Sequence, residues 1–130
     1  EVFGGATHEQ AYRTRFAAEL EAGRMTVLAG DSAACLERLQ DASVDVIYLD
    51  ADHTYDGVTR DLAALRPKLR DDGWLVLNDY APSSIGFPDM PYGVIQACHE
   101  FMVSNDWEMT HLALAWAMYC DVVLRKARAV

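Results

Sequence analysis

Apolar residues return along this chain in two rhythms, and each change of rhythm marks an element. Tyr12, Phe16 and Leu20 recur every four residues behind Thr7, which with Gln10 has the spacing of a capping box, and Gly23 supplies the stop; this predicts a helix. "RMTVLAG" then reads as a short strand ending at Gly30, after which Asp31 or Ser32 caps a second helix through Leu36 and Leu39. "VDVIYLD" is the next strand, apolar on both faces in the manner of a central parallel strand covered by helices on each side. From Thr54 a third helix carries Val58, Leu62 and Leu65 on one face, and Pro67 kinks or interrupts it.

"DDG" reads as a turn and "WLVLNDY" as another buried strand. The stretch "APSSIGFPDMPYG" holds three of the four prolines, which marks a long loop. Val94, Cys98, Phe101 and Met102 stripe a fourth helix, and "WEMTHLAL" and "AMYCDVVLRK" close the chain as two strands. Their connection is short enough for an antiparallel pair and too short for a parallel crossover. The alternation predicts one α/β domain over residues 1–130: Rossmann-like and doubly wound, a mostly parallel sheet with a C-terminal antiparallel strand pair.

Composition narrows the partners. The 130 residues are 52% hydrophobic and 10% aromatic, as in globular chains, and twenty acidic against eleven basic side chains give a formal net charge of −9. That charge repels nucleic-acid phosphate and anionic membranes, so neither is an expected partner. Cys35, Cys98 and Cys120 are odd in number and widely spaced, which suggests neither a disulfide framework nor a CxxC metal site and fits a reduced, cytoplasmic setting. No apolar stretch approaches membrane-spanning length, and no signal-peptide pattern opens the chain.

The chemistry falls at three strand ends. In open α/β sheets ligands sit outside the carboxyl ends of the parallel strands. Here those ends read "GDS" (Gly30, Asp31, Ser32), "DADH" (Asp50 to His53) and "NDY" (Asn78, Asp79, Tyr80). If the last two strands are neighbours, Asp50 and Asp79 approach one another, with Asn78 and Asp52 close by. Like charges so placed raise a carboxylate's pKa unless a cation intervenes, and a hard divalent ion with oxygen ligands resolves the conflict. The plainer alternative is that these side chains cap helices and solvate loop tips.

"GDSAACLERL", "VDVIYLDADHTYDGVTRDLAAL", "GWLVLNDY" and the closing strand pair resemble successive segments of class I S-adenosylmethionine-dependent methyltransferases. The resemblance is closest to bacterial small-molecule O-methyltransferases whose strands end "DxDH(S/T)Y" and "(D/N)DY". It covers roughly residues 7 to 126, by order and spacing. It implies that Gly30, Asp31 and Ser32 meet the cofactor, with Asp31 and Ser32 near the adenine. It further implies that Asp50, Asn78 and Asp79 could hold a divalent metal such as Mg²⁺, although Asn78 stands where metal-dependent members often have Asp. Asp52 or His53 would then take the proton of the substrate hydroxyl.

The family's Gly-rich turn after its first strand is absent; Gly4 and Gly5 precede a helix and follow no predicted strand. The chain thus resembles the C-terminal two-thirds of such a domain, without the first strand-helix-strand unit. The residual sheet would expose an edge, to be covered by a second copy of the chain or by an upstream segment. Three functional readings follow: O-methyl transfer to a small hydroxylated molecule; a non-catalytic binding or assembly module that keeps the fold without the cofactor; and metal-dependent hydrolysis, disfavoured by the scattered His8, His99 and His111. Phe87, Met90 and Tyr92 in the long loop suggest an apolar or aromatic lining to a pocket, or anchors that pack the loop down.

Overall fold

The computed structural model describes residues 7–84, 89–115 and 119–128. They fall into two compact units, Glu1–Asp31 and Ser32–Val130.

In the first unit the capping box forms as read. The Thr7 hydroxyl accepts from the Gln10 amide at 3.2 Å, and the Gln10 side chain accepts from the Thr7 amide at 2.9 Å, starting α1, His8–Arg15. The helix does not run unbroken to Gly23. Phe16, at φ −110° and ψ 27°, leaves helical geometry and divides α1 from α2, Ala17–Glu21. The strand expected at "RMTVLAG" is also not formed: residues 25–29 have no regular secondary structure. An apolar run gives a segment the side chains of a strand, but only a ladder partner makes it one.

The second unit is a four-stranded sheet with helices packed on one face. α3 is Ser32–Leu36, β1 Val44–Leu49, α4 Tyr55–Leu65, β2 Leu69–Leu77, α5 Val94–Asn105, β3 Trp107–Leu114 and β4 Cys120–Lys126. The sheet order is β1-β2-β4-β3. β1 and β2 are parallel, and β4 is antiparallel to both β2 and β3, so three strands share one direction and the last in sequence opposes them from between two of them. The closing pair is antiparallel, as its short connection requires.

Alternation along β2 and β4 sends Leu75, Leu77, Val122 and Leu124 to one face, where each is at most 1% exposed. Leu62 and Leu65 of α4 and Val94 and Cys98 of α5 close the core over them. α4 begins where Thr54 caps it, accepting from the Gly57 amide at 3.1 Å, and ends at Leu65 with Arg66 as C-cap, one residue before Pro67.

Two readings of the strands change. β1 is not a central strand buried on both faces; it is the edge of the described sheet, with Val46 56% and Tyr48 55% exposed on the face away from α4 and α5. Its continuous apolar run shows what β1 could bury and leaves open what covers it. "DDG" is not a turn before a strand but part of a bulge within β2, since Val44 pairs with Leu69 and Val46 with Trp74. Gly73 closes that bulge where a Cβ would lie 3.0 Å from the Asp45 carbonyl oxygen.

Candidate functional site at the carboxyl ends of β1 and β2

β1 and β2 are parallel neighbours, so their carboxyl ends bring "DADH" and "NDY" together. His53 is the meeting point. Its Nε2 lies 3.7 Å from Asp50 Oδ1 and 3.7 Å from Asp79 Oδ2. Nε2 is itself buried and makes no hydrogen bond among the described residues, although the side chain as a whole keeps 21% of its exposure. The exposed part of the side chain is therefore not Nε2. Asp79 reaches this position with φ at +51°, in the left-handed region that Asp tolerates better than most residues.

Asp52 is placed differently. Its Oδ1 accepts from the Thr54 amide at 2.9 Å, one step ahead of the Thr54 cap. That backbone bond, and then the Thr54 hydroxyl, hold its carboxyl below the ordinary aspartate range. A carboxylate with lowered proton affinity is a weaker general base. The turn also explains Gly57: a Cβ there would overlap the Asp52 carboxylate.

Asn78 is the residue after β2, and its side chain bonds neither Asp50 nor Asp79 among the described residues. Its amide donates to Asp121 Oδ1 at 2.9 Å and to the Tyr48 hydroxyl at 3.1 Å, and Tyr48 in turn donates to Asp121 Oδ2 at 3.0 Å. Burial, and then Asp121, raise the Tyr48 phenol above its usual range. What stands between Asp50 and Asp79 is an imidazole nitrogen, whereas Mg²⁺ favours oxygen donors in octahedral array. Among the described residues no cluster of three His, Cys, Asp or Glu side chains is disposed to hold a metal ion. As the side chains stand, the site does not fit Mg²⁺ held by Asp50, Asn78 and Asp79.

Of the residues expected at the cofactor, Gly30 and Asp31 end the first unit and Ser32 begins the second. Gly30 adopts φ +138°, open to glycine and rarely to other residues. Ser32 donates its hydroxyl to Asp61 Oδ1 at 2.7 Å. Asp61 is fully buried on α4, with Arg60 Nη2 3.5 Å from the same oxygen and Oδ2 without a hydrogen bond among the described residues.

Asp61, Asp121 and Tyr48 are site-edge residues that the motif reading passed over. Asp61 had a sequence signal, since Val58, Asp61, Leu62 and Leu65 fall on one helical stripe and a carboxylate there must find a partner. Asp121 likewise interrupts the apolar run of β4. In the long loop, Ser83 bridges Pro91 and the Tyr92 amide bonds the Pro82 carbonyl at 3.0 Å, so the chain folds back on itself. Met90 is 55% exposed, Tyr92 packs against the core, and Phe87 lies outside the described residues.

Comparison with known proteins places this arrangement. The family described as a methyltransferase domain matches residues 3–80, more than half of the chain. No protein of curated function matches the sequence. Among solved structures, a Corynebacterium glutamicum protein superposes with a TM-score of 0.64 at 19% identity, over 95% of this chain and 59% of that one. The pyocyanin biosynthetic protein PhzM gives 0.63 at 13% identity, over 88% and 39%. Aeropyrum pernix fibrillarin, solved with natively bound S-adenosyl-L-methionine, gives 0.61 at 15% identity, over 88% and 51%. The chain thus spans between about two fifths and three fifths of the length of these structures. With a family match over most of its first 80 residues and a fold these structures share, the chain belongs to the methyltransferase-domain family and has the class I S-adenosylmethionine-dependent methyltransferase fold.

Proposed function

We propose that this chain takes part in methyl transfer from S-adenosylmethionine to a hydroxyl group of a small molecule, with His53 as the proton acceptor. The observation that carries the reading is the buried Nε2 of His53, set 3.7 Å from each of two carboxylates at the ligand-binding edge of the sheet. With Nε2 carrying its proton toward Asp50 and Asp79, Nδ1 is the nitrogen left to receive a proton from the acceptor hydroxyl. The two carboxylates then stabilise the imidazolium that results, as the orienting acid does in a catalytic triad. Asp52 serves this scheme by fixing the turn into α4 and thereby the backbone of His53.

The donor set at the end of the first unit suits an adenosine. Gly30 has no Cβ to obstruct a close approach, and the Asp31 carboxylate can accept from an exocyclic amine. S-adenosylmethionine, when bound, supplies an electrophilic methyl group on its sulfonium. The chain's part is to hold the acceptor oxygen in line with it and to remove the proton.

The reading includes a partner for the β1 edge, a second copy of the chain or an upstream segment, and a cytoplasmic setting. Among the described residues no helix is long and apolar enough to cross a membrane.

Methyl-labelled cofactor and a panel of hydroxylated acceptors test the function, with and without Mg²⁺. His53→Ala should lower turnover by about 10²- to 10⁴-fold while calorimetric cofactor affinity stays within about twofold. A variant as active as the parent protein would overturn the role of His53.

A further inference from the structure

The geometry points to Tyr92 as the positioning residue for His53, a role that rests on the reading of His53 as proton acceptor. The Tyr92 and His53 rings stack with centroids 4.6 Å apart and planes 22° from parallel. The next residue holds the same histidine by its backbone, the Gly93 amide donating to the His53 carbonyl at 2.8 Å. Two consecutive residues therefore fix both the main chain and the ring plane of His53. Gly93 can sit so close because a Cβ on it would overlap the Tyr55 backbone.

Tyr92 is in turn tied to the start of the loop. Its amide bonds the Pro82 carbonyl at 3.0 Å, and the Ser84 amide bonds the Met90 carbonyl at 3.2 Å. Residues 82–84 and 90–92 thus pair with one another, and this paired stretch ends at the ring that lies on the histidine. At 3.7 Å, Asp50 and Asp79 are beyond direct hydrogen-bond distance from Nε2 and do not by themselves fix the ring about χ2. The flat face of Tyr92 does. A ring rotated away from the acceptor oxygen removes a proton poorly even when the cofactor is bound normally, so the role falls on turnover and not on cofactor affinity.

Tyr92→Leu and Tyr92→Phe separate this role from simple packing. In the full chain, without substrate, the His53 Cε1 proton should lose its ring-current displacement in Tyr92→Leu and keep it in Tyr92→Phe. In the methyl-transfer assay Tyr92→Leu should lower kcat by about ten- to a hundredfold with the KM for S-adenosylmethionine unchanged, and Tyr92→Phe should restore kcat to within about twofold. If Tyr92→Leu melts below the assay temperature, Tyr92→Met fills similar space without a ring and takes its place. An unmoved His53 resonance, or full turnover in the ringless variant, overturns the role of Tyr92 while His53→Ala remains inactive. A fully active His53→Ala defeats the underlying assignment of the base instead, so the two failures are distinguishable.

Discussion

Ser32→Ala separates two uses of one hydroxyl. The family resemblance brings Ser32 near the adenine, whereas the structure has its hydroxyl donating to the fully buried Asp61 at 2.7 Å, joining α3 to α4. Among the described residues Asp61 also has the Arg60 guanidinium 3.5 Å away, and it approaches Oδ1 as well. Removing the hydroxyl deprives a fully buried carboxyl oxygen of its hydrogen bond, at a cost of about 1.5–3 kcal/mol. Ser32 opens α3, where alanine has no helix-interior advantage to return. For a chain of this size that loss lowers Tm by about 5–11 °C.

Thermal melting of Ser32→Ala, Asp61→Asn and the double variant measures the pair directly, because only a real contact makes the double variant less destabilised than the sum of the singles. Calorimetry on the same proteins measures cofactor affinity, expected to change less than about twofold. An unchanged Tm, additive single effects and a cofactor affinity weakened tenfold or more would refute the assignment and return Ser32 to the cofactor.

The other predictions concern the frame around the site. Gly57→Ala, which in an ordinary helix would stabilise by about 0.5–1 kcal/mol, should instead lower Tm, because its Cβ displaces the Asp52 carboxylate from the turn into α4; a raised Tm would show that turn to be dispensable. Leu62→Ala, at a site 2% exposed between α4 and the sheet, should cost about 2–5 kcal/mol, read as a lower urea midpoint at unchanged m. Burial pushes the Cys98 thiol up to about 12 from an ordinary 9.0. A raised folded pKa makes its contribution complete below the unfolded value and lost as pH rises through the folded one. Stability should therefore decline above about pH 9, and the decline should be smaller in Cys98→Ala. Cys98 should also resist a thiol reagent at neutral pH until the chain unfolds.

Much of the fold is legible where local chemistry alone decides it. Thr7 with Gln10, and Thr54 with Gly57, start helices through bonds spanning three residues, and nothing distant can change that spacing. The antiparallel closing pair follows from a connection too short for any other topology. What the pattern could not show is the identity of neighbours. "RMTVLAG" and "VDVIYLD" have similar apolar content, yet the first forms no strand and the second lies at an edge.

The site was legible to the same degree. His53 comes together with Asp50 and Asp79 because parallel neighbours align their ends. That the Asn78 amide turns to Asp121 and Tyr48 could not be read from strand parity, because Asn78 and Asp79 lie beyond the end of β2 and Asp79 leaves extended geometry at φ +51°. The stacking of Tyr92 on His53 could not be read either, because 38 intervening positions must first be folded.

The place of β4 has a consequence for the timing of assembly. Among the described strands β3 hydrogen-bonds only to β4, and β4 alone connects it to β2 through pairs such as Leu75 with Leu124. As the chain leaves the ribosome, β1, β2 and their helices can meet early, but β3 must wait, unpaired, until β4 has emerged and inserted between it and β2. The antiparallel half of the sheet is thus a late, all-or-none addition. A nascent chain stalled before Cys120 should protect the amides of β1 and β2 while leaving those of β3 open to exchange.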